Sequence, residues 1–587
     1  MPTEPLLQGF LAIAICGLAG AILARLIPAG RIPTRRGRRL ANAAALAVLL
    51  IIGLSESQHL HAVANPNWVP VGQDWIEYLS YLTEGSVPGS LNAIGGFRYY
   101  LYGWLAGGLV AVFGVPPYVA GMQIALVSIG LMPAAVFLLV RQLAPLPIAL
   151  TGGLFVVHLA PLLELLGMPT DYGLAALLQT LTLAAGLAAI RRPRPLTFLG
   201  FGCALAALMG ATPKALSVAL IALPIGLVAL PRGARRRALS ALGLLGPVAL
   251  MWAVYAWVDP QRLSLEAALF LVEKDSAAHA RVTLTPAIYG LPPDTPLSAI
   301  GHWRLGDPEA LWRLPETLRI LAMSPEHLPP LSRRLSRYSE EIGQVVGLRG
   351  LHWAALSGLA ALAVRARGAR WMLGAAFVGA VVGMSFVGGT RLFAYRTRYF
   401  LPLLVLLPAL TLAGAAAPLR ALTPRFRRDW SLPWWPVPAL VAVTLFSPSN
   451  QAERLADLSD RAGVLARHEV NALLRLRDEL REGDVVVDLT TQGAAAALFL
   501  DKAAVQFPIY PRVVVPAIPV DPLVREQRRF LVLNCAPKKQ GSEPWWPEVE
   551  AWLDESPRFE RVSRCVYQDF AATERLEIPH PEWRPPN

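Results

Sequence analysis

The sequence predicts a polytopic α-helical membrane protein of about 12 spans, followed by a small C-terminal α/β extramembrane domain. Three observations predict it. Of the 587 residues 54% are hydrophobic and only 16% charged, where a soluble globular chain carries about 25% charged residues. Apolar runs approaching 20 residues recur along the chain, and most of the 51 prolines and 47 glycines fall between them as loop punctuation. The arginines cluster in short loops between those runs, at 31–39, 191–194, 232–237, 365–370 and 420–428, which is the positive-inside pattern. The net charge of +13 therefore sets orientation, and a nucleic-acid partner is excluded by its distribution.

Residues 6–25 form the first span; no basic n-region precedes them, so they read as a span and not as a cleaved signal. The basic loop at 31–39 is cytoplasmic, and 40–55 return outward. A mixed, aromatic-rich external interval, 56–117, carries Asp74, Glu77 and Glu84. Within it 97–113 reads as an interfacial or re-entrant helix, because counting it as a span would put every later arginine cluster on the wrong side. Spans then alternate: 118–140 inward to Arg141, 147–167 outward, 172–190 inward, 196–212 outward, 215–230 inward and 238–257 outward. A second external interval, 258–350, is followed by spans at 351–364, 371–389, 399–418 and 433–447. Residues 1–447 thus form the membrane domain and 448–587 a soluble external one, with strands at 484–488, 529–534 and 561–567 and helices at 453–481, 493–501 and 545–555. That domain has no Gly-rich phosphate loop. Cys16 and Cys203 read as small core residues; Cys535 and Cys565 share the external domain, where a disulfide fits but is not specified by spacing.

Ionisable residues at the hydrocarbon edge are costly and tend to be paired or functional. Asp74 and Glu77 stand three residues apart, one helical face, in the first external interval. Asp171 tops the span beginning at Tyr172, where it serves either as a helix cap or as a functional acid. Lys214 lies in the turn Ala211-Thr-Pro-Lys-Ala215, free to snorkel or to bind a ligand, and Arg391, Arg396 and Arg398 crowd a later external turn. His158, inside an apolar run, reads as a hydrogen-bonded core residue.

The phrases Asp74-Trp-Ile-Glu77-Tyr, Phe97-Arg98-Tyr99-Tyr100, Pro169-Thr-Asp171, Met209-Gly-Ala-Thr-Pro-Lys214 and Arg396-Thr-Arg398-Tyr399-Phe-Leu-Pro402 resemble the GT-C class of membrane glycosyltransferases. The resemblance is to the protein mannosyltransferase and lipid A aminoarabinose transferase branch and covers roughly residues 40–420. It implies a GT-C-like core and transfer of a sugar from a polyprenyl-phosphate donor to an acceptor on the extracytoplasmic face of the cell membrane, the inner membrane of a cell envelope. The acceptor is a lipid, protein or polysaccharide. It also implies catalytic acids at Asp74 and Asp171, with Glu77, Arg98, Lys214, Arg396 and Arg398 binding substrate. Two departures stand out: Tyr100-Leu-Tyr replaces an acidic-basic-proline triplet, and the first span is additional. No cofactor is required by this reading; a divalent metal on carboxylate oxygens is left open. The competing classes are a transporter or lipid flippase and a non-catalytic envelope scaffold. The first is disfavoured by the lack of midplane charge and of internal repeats.

Overall fold

The computed structural model describes residues 35–66, 68, 100–143, 146–154, 156, 162, 164–211, 215–258, 456, 485–488, 504–506, 517–518, 530–533, 551, 553–563, 566–570 and 576–577. Its helices are α1 (Arg35–Ala64), α2 (Tyr100–Phe113), α3 (Pro117–Leu143), α4 (Leu146–Leu154), α5 (Tyr172–Arg191), α6 (Pro195–Ala211), α7 (Ala215–Val228) and α8 (Ala234–Val258), with a 3-10 turn at Glu164–Gly167. Local sequence sets their limits. Pro117 and Pro195 occupy first helical positions, where a missing N–H costs nothing. Gly114, with φ +63°, closes α2 by donating its N–H to the Val110 carbonyl at 2.9 Å. Thr197 ties the α5–α6 turn: its hydroxyl donates to the carbonyls of Arg192 and Arg194 at 2.9 and 2.8 Å.

Among the described residues four helices are long and apolar enough to cross a membrane: Arg39–Ala64, Tyr118–Gln142, Tyr172–Arg191 and Ala234–Val254. In the second and third, 78% and 72% of the positions are buried in the protein, against 17% and 22% in the first and fourth, so α3 and α5 are central and α1 and α8 peripheral. Exposed Leu40, Val48 and Ile51 on α1, and Leu239, Leu242, Leu245 and Leu250 on α8, form apolar outer faces that suit lipid and not water. The described part is a polytopic helical bundle.

Contacts fix the direction of each helix. Along α1 and α3, Asn42 meets Arg141, Gly53 meets Gly130, and Asn65 meets Met122, so the two run antiparallel. A Cβ on Gly53 would collide with the Gly130 carbonyl; small residues let these backbones close up. Along α3 and α5, Gly173 lies beside Ala125 and Ser128, Thr180 reaches Met132, and Gln142 Nε2 donates to the Ala184 carbonyl at 2.6 Å. These two run parallel. Phe201 of α6 packs on Gly226 of α7 across their shared turn, so that pair is antiparallel. Arg39, Arg141, Arg191, Arg192, Arg194 and Arg235 to Arg237 consequently gather at one end of the bundle.

Two apolar clusters hold the bundle together. One joins α1, α3, α4, the 3-10 turn and α5 through Leu49, Leu60, Met132, Phe137, Leu166 and Tyr172. The other joins α6, α7 and α8 through Phe198, Phe201, Leu205, Ala222 and Leu244. In the second, a Cβ on Gly202 would collide with the Gly243 carbonyl.

Several sequence expectations need correction. The span placed at 40–55 continues as helix to Ala64, so Glu56, Ser57, His59 and His61 stand on α1 and not in an external loop. The span placed at 147–167 does not run as one helix: α4 stops at Leu154, after the poor helix formers Gly152 and Gly153. The segment 97–113 needs no such correction: its described part is the 14-residue α2, about 21 Å long and shorter than the ~30 Å hydrocarbon layer, and it packs on α3 and α6. The spans at 6–25 and 351–447, the interval 259–350, Cys16, His158, Cys535, Cys565, the helix at 493–501 and all of the helix at 453–481 but residue 456 lie outside the described residues.

The C-terminal strands are β1 (Val485–Asp488), β2 (Ala504–Gln506), β3 (Ala517–Ile518), β4 (Phe530–Leu533), β5 (Phe559–Ser563), β6 (Val566–Asp569) and β7 (Leu576–Glu577). Five form one mixed sheet in the order β2-β1-β4-β6-β5, with β1 parallel to β2 and β4, and β6 antiparallel to β4 and β5. β3 and β7 pair separately. The single strand expected at 561–567 is instead the β5–β6 hairpin, pairing Arg561 with Tyr567 and Ser563 with Val566. Leu531, Leu553, Phe559 and Tyr567 are buried. Arg561 lies over the Tyr567 ring and donates Nε to Asp554 Oδ1 at 2.9 Å.

Candidate functional site

The end of the bundle opposite the arginines is polar, and it is built from three elements. The last two turns of α1 and the residue that follows it present Ser57, His61 and Asn65 at four-residue spacing, with the Asn65 N–H still donating to the His61 carbonyl at 2.7 Å, which keeps them on one helical face. All three are buried, at 1%, 2% and 1% exposure, although each carries a polar group. The first turns of α3 contribute Met122 and Ser128, whose hydroxyl donates to the Ile124 carbonyl at 2.7 Å. The chain from Glu164 to Asp171 supplies the third wall.

That third wall is braced by its own backbone. Met168 N–H donates to the Leu165 carbonyl at 3.0 Å and Thr170 N–H to the Met168 carbonyl at 2.8 Å. The Asp171 carbonyl accepts the Ala175 N–H at 2.8 Å, starting α5. Asp171 stands at the N-cap position, yet its side chain makes no capping hydrogen bond and its backbone is helical, φ −70° and ψ −13°. Of the two roles open to it in the sequence, capping is the one its side chain does not perform. The residue is 2% exposed, and Thr170 beside it is buried with its hydroxyl unpartnered.

His61 links these walls. Its Nδ1 lies 2.7 Å from the Leu166 carbonyl, which can only accept, so Nδ1 carries the proton and Nε2 the lone pair of the neutral ring. The imidazole also packs against Trp68, with ring centroids 4.2 Å apart and planes inclined by 57°. Trp68 has φ +53°, a left-handed conformation costing an L-residue about 1–2 kcal/mol. Its N–H donates to the Asn65 carbonyl at 3.1 Å, while the Asn65 amide reaches Met122 Sδ at 3.8 Å. His61 Nε2 is buried without a hydrogen-bond partner, a cost of about 1–3 kcal/mol.

Of the candidate site residues taken from sequence, Asp171 is the one described; Cys203, read as a small core residue, is instead exposed on α6. Asp74, Glu77, Arg98, Lys214, Arg391, Arg396 and Arg398 lie outside the described residues. Lys214 stands in sequence between Ala211, the last residue of α6, and Ala215, the first of α7, and both helix ends point away from the arginines. Trp68 is six residues before Asp74. Sequence reasoning missed Ser57, His61, Asn65 and Thr170. The recurrence of polar residues at 57, 61 and 65 on an otherwise apolar helix was the available signal. Among the described residues no group of three or more His, Cys, Asp or Glu is placed to hold a metal ion.

No protein-family model matches the chain, and no curated protein matches it. Its structural neighbours include the archaeal oligosaccharyltransferase AglB from Archaeoglobus fulgidus in complex with an inhibitory peptide and a dolichol-phosphate. That pair is 14% identical, covering 83% of this chain and 69% of the other, with a TM-score of 0.49. The apo form of the Archaeoglobus fulgidus oligosaccharyltransferase aligns at 16% identity over 79% of this chain and 64% of that one, TM-score 0.49. ArnT from Cupriavidus metallidurans bound to undecaprenyl phosphate aligns at 13% identity over 92% and 99% of the two chains, TM-score 0.40. All three fall below a TM-score of 0.5, so residue roles rest on this chain alone.

Proposed function

We propose that the protein is a membrane glycosyltransferase that moves a sugar from a polyprenyl-phosphate carrier to an acceptor hydroxyl on the extracytoplasmic face. The observation that carries this reading is the position of Asp171. It is buried, makes no side-chain capping bond, and stands at the bundle end away from every described arginine cluster. Arginine-rich ends face the cytoplasm, so the polar end is extracytoplasmic in this reading. Asp74 and Lys214 join it through the motifs that carry the family resemblance.

The reaction needs a base for the acceptor proton and fixed positive charge for the leaving phosphate. Asp74 takes the hydroxyl proton as the acceptor oxygen attacks the anomeric carbon. The bond from that carbon to the phosphate oxygen breaks, the configuration inverts, and polyprenyl phosphate departs. Lys214 and Arg398 stabilise the negative charge developing on the phosphate, assisted by Arg98 and Arg396. Asp171 and Glu77 orient the acceptor, and they are the carboxylates that would hold a divalent cation if one takes part. Removing a general base costs about 10²–10⁴ in rate.

The test compares envelope glycans and lipid-linked sugars in a deletion strain carrying wild type, Asp74→Asn or Asp171→Asn. Wild type is expected to restore a missing glycan and both variants to fail while reaching the membrane in normal amounts. Full restoration by Asp74→Asn would remove the base assignment.

A further inference from the structure

We propose that His61 is a positioning residue that holds the Asp171 turn in place, and that its Nδ1–H, not the bulk of its ring, is the part that acts. This rests on the transfer reading for its consequence in catalysis, but not for its geometry. The imidazole makes two described contacts. One is the 2.7 Å bond to the Leu166 carbonyl, joining residues 105 apart in sequence. The other is the ring contact with Trp68. The first leads through Leu165, Met168 and Thr170, each in backbone hydrogen bonds, to Asp171. The second fixes the residue at which the chain leaves α1 in a left-handed conformation.

A purely packing role is a poor account of this residue. A phenylalanine at position 61 would fill the same space and keep the contact with Trp68 without leaving a buried nitrogen unbonded, as Nε2 is here. What imidazole adds is a donor on the atom nearest the chain, aimed at the Leu166 carbonyl, whose i+3 residue Pro169 has no N–H to offer and whose i+4 residue Thr170 donates to Met168 instead. Ser57 and Asn65, one helical turn to either side, have their own local or α3 contacts and do not reach Leu166 among the described bonds. His61 is thus the described side chain that bonds α1 to the turn before Asp171. Misplacing a catalytic group by a fraction of an ångström is enough to slow an enzyme substantially.

Three substitutions separate the donor from the ring. His61→Asn keeps a donor at the Nδ1 position, His61→Gln moves it outward, and His61→Phe keeps only the ring. Each is made in the full-length protein, reconstituted in lipid nanodiscs for amide exchange and melting, and expressed in the deletion strain for glycan output. His61→Phe and His61→Gln are expected to speed exchange across 164–171 and to lower glycan output about tenfold or more, with melting midpoints near wild type. His61→Asn is expected to match wild type in both. Unchanged exchange in His61→Phe, an Asn variant as impaired as Phe, or losses that track the melting midpoint would each overturn the proposal. If wild type restores no glycan, the transfer reading falls, and exchange alone still decides whether His61 holds the turn.

Discussion

The two apolar clusters of the bundle are packed by the same means and differ in what they bury. Each has a glycine-to-glycine crossing, Gly53 on Gly130 in the α1–α3–α5 cluster and Gly202 on Gly243 in the α6–α8 cluster. Beside the first cluster Ser57, His61, Asn65, Ser128, Thr170, Asp171 and Thr180 are buried, whereas beside the second the buried polar side chains described are Ser240 and Thr182, the latter on the α5 face that carries Leu178, Ala185 and Ala189. Close packing of small residues is what membrane helices need to associate, and both clusters have it. Burying polar groups opposes stability unless each is bonded, and that cost falls mainly on the first cluster, concentrated toward one end of it. In the proposed reading the second cluster is a scaffold and the first a scaffold with a site.

The widest separation between them should come from paired substitutions. Asp171→Asn is expected to lower glycan output about 10²-fold, and Ser240→Ala in the other cluster to leave it unchanged; equal effects would erase the distinction. Sidedness follows. With native cysteines replaced, Gly89→Cys should react with an impermeant maleimide added to intact cells, and Arg232→Cys should react only after lysis. The reverse pattern would put the polar cluster on the cytoplasmic side. Overpacking should then treat the clusters alike. Gly53→Val and Gly202→Val are each expected to cost about 1–3 kcal/mol, read as a lower melting midpoint, while Gly108→Val, with open space around it, should cost less. The smallest effect should be at the arginine end. Asn42→Ala removes the acceptor of the 2.9 Å bond from Arg141 Nε and should cost about 1 kcal/mol without changing glycan output.

How far the sequence could be read depended on whether one run of residues does one job. α3, α5 and α8 are continuous apolar stretches with arginines at one end, and their limits match the reading to within a few residues. α1 was cut short at residue 55 because Glu56-Ser-Gln-His59 looks like a loop in any average of hydropathy. Only the four-residue spacing of Ser57, His61 and Asn65 tells that the helix goes on, with its polar side turned inward. Asp171 was found because an acid at a helix start is conspicuous. That its carboxylate does not cap the helix depends on backbone geometry that residue type does not encode. The β5–β6 pair reads as one strand in the sequence because the two residues between its strands, Arg564 and Cys565, include no glycine or asparagine of the kind that usually marks a hairpin.

The parallel contact of α3 and α5 has a topological consequence. Two consecutive long helices that point the same way require the chain between them, from Leu143 to Tyr172, to travel back across the full depth of the bundle. α4, with nine residues, covers about 14 Å of that return, less than half of the ~30 Å hydrocarbon layer. The rest of the crossing includes a 3-10 turn, and backbone outside regular helix is tolerated at membrane depth only where protein shields it from lipid. Leu154, Val156, Leu162, Leu165 and Leu166 on this return are all buried, so it is sheathed by its neighbours. A crossing interrupted in this way brings main-chain carbonyls into the interior of a membrane protein, where side chains can reach them, as His61 reaches Leu166.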